Sequence, residues 1–86
     1  MSTSKNKIKI TKVTFDDQKI YVALSSGDIL AIPHTYTQKL ADATTNELES
    51  YHLIGGGIGI HFDRIDEDIS LNGILRYKME HELLAS

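Results

Sequence analysis

Cysteine and tryptophan are absent from the chain, and proline occurs once among 86 residues. Without cysteine there can be no disulfide and no thiolate metal site, which fits a reducing compartment. Long apolar runs are missing too, and none approaches the roughly 18 residues of a membrane span. The opening segment from Met1 to Lys7 is polar and lacks the apolar centre of a signal peptide. The expected location is therefore the cytoplasm. A basic surplus is also lacking: nine Lys and Arg stand against twelve Asp and Glu, a formal charge of −3. Nucleic-acid binders usually carry clustered positive charge. Here the only basic cluster is Lys5, Lys7, Lys9 and Lys12, which reads first as a solvated arm entering an edge strand blunted by lysine. Nucleic acid is not expected as the main partner, and weak binding through these lysines stands as an alternative.

What is present fits one small domain. A chain of this length buries only about 60–65% of its unfolded surface, so disulfides, metals or association commonly supplement the core. With disulfides excluded, association with a second copy or another protein is the open route. Residues 1–7 read as a flexible arm, 8–76 as the domain, and 77–86 as a helical extension.

The apolar pattern predicts an α+β fold. Ile8 and Ile10 alternate with lysines, and Val13 and Phe15 continue with shifted parity, so a strand with a bulge near Lys12 is expected. Ile20, Val22 and Leu24 share one face of a second strand. Gly27 supplies a turn, and Ile29 to Ile32 forms a third strand stopped by Pro33. Together these make a three-stranded antiparallel meander. The period then changes. Thr35 to Gln38 and Thr44 to Glu47 fit two capping boxes, each opening a short helix, with a break near Ala43. Leu40 serves the first helix, and Leu48 and Tyr51 the second. Ile58, Ile60 and Phe62 predict a strand or hairpin returning to the sheet. A final helix, capped by Asp68 or Ser70, carries Leu71, Ile74, Leu75, Met79 and Leu83 at helical spacing.

Several motifs invite a chemical reading. The run Gly55-Gly-Gly-Ile-Gly59 fails the dinucleotide spacing, because Ile60 stands where the third glycine belongs and a strand follows where a helix should start. No Gly-Lys-Ser/Thr phosphate loop is present, so a turn or a close backbone approach explains the glycines. Asp66, Glu67 and Asp68 lack the regular spacing of a calcium loop. They read instead as carboxylates at the positive end of the last helix. His52 and His61 flank the glycines and would meet across a hairpin, with Asp63 or Asp66 nearby. That set is the alternative site, for a metal or a general base, although no H-x-x-x-H or H-E-x-x-H spacing supports it. No Ser-His-Asp arrangement is readable. No catalytic residue, metal or cofactor is assigned, and the chain is expected not to be an enzyme. On the last helix, Leu71, Ile74 and Leu75 are expected to close the core. Tyr77, Met79, Leu83 and Leu84 are the expected partner-binding residues, since an apolar face left uncovered is an interaction surface.

The stretch from Ile54 to Leu75 reads Ile-Gly-Gly-Gly-Ile-Gly-Ile-His-Phe-Asp-Arg-Ile-Asp-Glu-Asp-Ile-Ser-Leu-Asn-Gly-Ile-Leu. It resembles the signature of the bacterial domain-of-unknown-function family 2442: a glycine-rich turn, Gly-x-His-Trp, Asp-Glu-Asp-Ile/Leu-Ser and Gly-Leu-Leu. Upstream, Gly27, Pro33, Leu40 and the pair Ala43-Thr44 match the family's glycine turn, Val-Pro, Arg-Leu and Ala-Thr. The resemblance covers roughly residues 8 to 76. Phe62 stands where the family often has Trp, Gln38-Lys39 where it often has Pro-Arg, and Leu48 where Arg is frequent. A role of those arginines in anion or partner binding is weakened in this chain. The resemblance implies a small α+β domain and brings no catalytic activity with it. Relatives stand alone, are fused to helix-turn-helix domains, or sit beside another small family in arrangements like toxin–antitoxin pairs. This chain has no room for a DNA-binding module after the domain, so direct repression is not expected. The function expected is a non-enzymatic interaction or regulatory module, antitoxin-like by analogy, binding a small, toxin-like protein and able to self-associate. A small metal-dependent enzyme or metal-binding domain using His52, His61 and the acidic corner from Asp63 to Asp68 is the alternative.

Overall fold

The computed structural model describes residues 8–83, with side chains through His81. The first half is the expected meander: β1 (Ile10–Phe15), β2 (Lys19–Leu24) and β3 (Ile29–Pro33), antiparallel in that order. The parity shift near Lys12 is a register irregularity between Ile10 and Lys12, after which Val13 again faces inward. Asp16 organises the first turn. Its carboxylate accepts from the Tyr21 hydroxyl at 2.6 Å and from the Gln18 and Lys19 amides at 2.8 Å each. Those bonds, the tyrosine's first, hold its pKa down to about 2. Gly27 closes the second turn at φ 97°, a left-handed conformation suited to glycine.

Short helices follow. A 3-10 turn at His34–Tyr36 leads into α1 (Gln38–Asp42), then α2 (Thr45–Leu48). The cap of α1 is Thr37, whose side chain accepts from the Leu40 amide at 3.2 Å. Thr35 does not cap it, because residues 34–36 already form the 3-10 turn. The second capping box is complete: Thr44 accepts from the Glu47 amide, and the Glu47 carboxylate accepts from the Thr44 amide. Between the helices Ala43 is extended at ψ 147°, which is the expected break. Helix α2 ends at Leu48, so Tyr51 belongs to the next strand and not to the helix.

The second half departs from the simplest expectation. The glycine-flanked hairpin does not return to the meander but starts a sheet of its own: β4 (Tyr51–Ile54), β5 (Gly59–Phe62) and β6 (Glu67–Ser70), antiparallel in that order. Ile58 lies in the turn and is 59% exposed, so only Ile60 and Phe62 of its alternation face the core. The acidic corner is likewise corrected. Glu67 and Asp68 lie in β6, and the first turn of the next helix holds no acidic residue. Ser70 alone caps that helix, α3 (Leu71–Lys78), by accepting from the Gly73 amide at 2.9 Å. The helical path runs on through a π-type turn at Met79–Leu83.

Both sheets and all three helices feed one buried cluster. It includes Ile20, Val22 and Ile32 from the first sheet, Ile60, Phe62 and Ile69 from the second, and Leu40, Leu48, Leu71 and Ile74 from the helices. Each such side chain contributes about 1.5–3 kcal/mol of apolar burial. Leu75, expected in this core, is 40% exposed instead. Two bonds tie the outer edge of β1 to the second sheet. The Ile10 amide donates to the Gly57 carbonyl at 2.8 Å, and the Val13 amide donates to the Tyr51 hydroxyl at 3.1 Å. Among the described residues no helix is long and apolar enough to cross a membrane.

Candidate functional site

Two surfaces gather the residues singled out by the sequence. The first is the outer face of the second sheet. Gly55, Gly56 and Gly57 turn the β4–β5 hairpin with φ of 61°, 72° and 113°. The resulting register sets His52 opposite His61, and His61 opposite Asp68. The two imidazole centroids lie 5.3 Å apart. Asp63, just past β5, brings Oδ1 to 3.1 Å from His52 Nδ1 and 3.5 Å from His61 Nε2. The Asp68 carboxylate bonds His61 Nδ1 from the other side. That bond first, then the fields of Asp68, Asp63 and Asp66, raises the His61 pKa above its ordinary value, against an opposing desolvation effect.

Three of the four alternative-site residues are thus brought together: His52, His61 and Asp63. Asp66 is not in contact. It sits at φ 52°, and its carbonyl accepts from Lys39 Nζ at 3.0 Å. The residue that takes its place is Asp68, which sequence reasoning assigned to a helix start. The signal for it was Ile69 alone, an apolar residue between polar neighbours in a strand of four. Chemically the face is a row of mutually satisfied imidazoles and carboxylates that laces three strands together. Among the described residues, no set of three or more His, Asp or Glu is arranged to hold a metal ion.

The glycines that build this hairpin serve packing. A Cβ on Gly57 would stand 2.7 Å from the Ile10 carbonyl oxygen and 2.8 Å from Lys9 Cβ. Their run is a close backbone approach between sheets, with no helix following it that could receive a phosphate. The departures from the family pattern are also structural: Phe62 and Leu48 are both fully buried. Lys9, just before β1, and Lys12, within it, are exposed, and Lys5 and Lys7 lie outside the described residues.

The other surface lies between β3 and α3. A groove of about 570 Å³ is lined by Ile8, Leu24, Ile29, Leu30, Leu71 and Leu75, with Ser26, Asp28 and Asn72 completing it. It runs into a shallower depression of about 450 Å³ along the outer face of α3, lined by Asn72, Leu75, Arg76, Met79 and Glu80. Lys78 Nζ reaches across to the Ala31 carbonyl at 2.6 Å, so the helix is tied to the free edge of β3. Of the four expected partner-binding residues, Met79 is on this surface. Tyr77 turns the other way, edge-on to Tyr36 at 5.1 Å and stacked on His81 at 4.0 Å. The Leu83 side chain and Leu84 lie outside the described residues. Ile8, Ile29 and Asn72 were not singled out as partner-binding residues. Their place emerges only when the helix packs beside β3.

No curated protein matches the chain. Two solved structures resemble it. One is the crystal structure of a protein of unknown function from Rhodospirillum rubrum, 25% identical, with a TM-score of 0.73, covering 92% of this chain and 98% of that one. The other is the solution structure of an uncharacterised protein from Chromobacterium violaceum, 23% identical, with a TM-score of 0.74, covering 96% of this chain and 84% of that one. The likeness to the Chromobacterium protein is one of fold alone. The family model described as "Protein of unknown function (DUF2442)" matches residues 10–80, a span reaching from the first residue of β1 into the turn after α3, and the chain belongs to that family.

Proposed function

We propose that the chain is a non-enzymatic interaction module that binds another small protein through the apolar surface between β3 and α3. One observation carries this reading. Of the six large apolar side chains that stand exposed among the described residues, four ring this surface: Ile8 at 45%, Ile29 at 63%, Leu75 at 40% and Met79 at 53%. Apolar area left in water is worth roughly 25 cal/mol per Å² to whatever covers it, and a contiguous patch marks an interaction site. The histidine face makes no comparable demand, because its polar groups already answer one another. An antitoxin-like role with a toxin-like partner is the finer form of the reading, and the family resemblance is its sole support.

The test is a pull-down of the tagged full chain from its native host, with Ile29→Asp run in parallel. One stoichiometric small protein, retained by the parent chain and lost from the variant, is the expected result. Retention indifferent to Ile29→Asp and to Met79→Asp would overturn the assignment of this surface.

A further inference from the structure

We infer that the outer face of α3 pairs with the same face of a second copy of this chain, the two helices antiparallel across a two-fold axis. This rests on the proposed reading of the β3–α3 surface and names the occupant of its helical half. The face carries contact residues over about two turns, Asn72, Leu75, Arg76, Met79 and Glu80. Its two charges are of opposite sign and one helical turn apart, and the ion pairs among the described residues, all on the histidine face, involve neither. A surface that must match itself under a two-fold axis needs such a balanced pair, because a single sign would repel its own image.

Helix arithmetic places the axis. In an antiparallel pair, two residues stand level when their numbers sum to twice the position of the axis. An axis passing near residue 77 sets Leu75 level with the partner's Met79 and Met79 level with the partner's Leu75, apolar against apolar. Counting the α-helical rise on into the π-type turn that begins at Met79, the same axis leaves Arg76 about 3 Å or less from level with the partner's Glu80, within the reach of both side chains. The two symmetric ion pairs then flank the apolar contact. The far end of the partner's helical run is carried toward the groove beside Leu71. The Lys78 bond to Ala31 holds the helix against β3, so the face is presented on a fixed support. An interface of this size is small, and the association is expected to be reversible in the micromolar range.

Sedimentation equilibrium of the untagged full chain, from low to several hundred micromolar, reads the proposal directly. A dimer of the 9.6 kDa chain is expected at the upper concentrations. Arg76→Glu and Glu80→Arg each set like charges across the axis twice over, and each should weaken association roughly tenfold. Combining both substitutions should restore it to within about threefold of the parent. Both residues are exposed, so circular dichroism should show unchanged folding. A parent chain that stays monomeric throughout, or a double variant no better than the singles, overturns the pairing. If the monomer still retains a small protein that Ile29→Asp releases, the interaction module stands and only self-pairing is lost. If neither behaviour depends on this surface, both readings fall together.

Discussion

The outer face of the second sheet and the surface between β3 and α3 pose opposite problems. The histidine face has the appearance of chemistry: two imidazoles and two carboxylates within contact of one another. The groove is bland by comparison, a handful of leucine and isoleucine side chains beside a helix. Yet the groups of the polar face are already paired with one another. Both imidazoles meet carboxylates, and those pairs span all three strands of the sheet. The apolar surface is incomplete, because nothing in the chain's described residues covers Ile29 or Met79. Residue type alone would put the histidine face first, whereas the pairing of its groups and the exposure of the apolar ones argue for the other surface. What a surface asks of a partner depends on what its groups have already found at home.

Both surfaces stand on one core, so Phe62→Ala should disturb them together. Removing this fully buried ring costs about 3–5 kcal/mol, a large fraction of the stability of a small domain, and a urea midpoint will show it. A loss below about 1.5 kcal/mol would mean that the second sheet does not share the core. Next in size is Gly57→Ala, where a positive φ and the Ile10 carbonyl oppose the new methyl, at about 1–3 kcal/mol. Gly27→Ala is the control, with φ 97° but open space around it. Equal losses from the two would show that the close approach between sheets is immaterial.

Ile29→Ser and Met79→Ser sharpen the contrast from the other side. Both remove exposed apolar area, so unfolding free energy should move by no more than about 0.5 kcal/mol. A larger loss would place these side chains in the core and remove the unpartnered surface. The smallest effect is expected from Asp68→Asn. It should return the His61 pKa toward the ordinary value of about 6.5, read by NMR titration of the ring. The sign follows from the raised pKa of the folded state. The stabilisation is fully present below the unfolded pKa and is lost as pH rises through the higher folded value. The variant should therefore show a flatter stability profile across that window, and an unchanged ring titration would dismiss Asp68 as its cause.

The meander was legible because its signals are local. Alternation marks Ile20, Val22 and Leu24, and Gly27 and Pro33 mark the stops. The Thr44–Glu47 box and the Ala43 break were legible for the same reason. The second sheet was harder. Its strands are four residues long, and in β6 only Ile69 carries the pattern, so Asp68 resembled a helix cap. The pairing of His52 with His61 could be foreseen from the glycines between them, whereas the choice of Asp68 over Asp66 depended on a third strand. The groove was less legible still. Ile8, Ile29 and Leu75 are far apart in sequence, and only the docking of α3 against β3 makes them neighbours. Leu75 misled because helical spacing fixes which residues share a stripe but not how wide the covering core is.

The bonds at the rims of the first sheet bear on the order in which the chain is made. Both sheets join consecutive strands, a local topology that favours fast folding. The meander is complete in sequence at Pro33, but the groups that occupy its two rims come much later, Tyr51 and Gly57 at β1 and Lys78 at β3. Emerging from the ribosome, the first sheet thus waits some 24 further residues for the groups that meet the β1 rim and some 45 for the lysine that meets the β3 rim. Fragments ending before α3 should accordingly clump where the whole chain stays dispersed, because the last helix is also the guard of the first sheet.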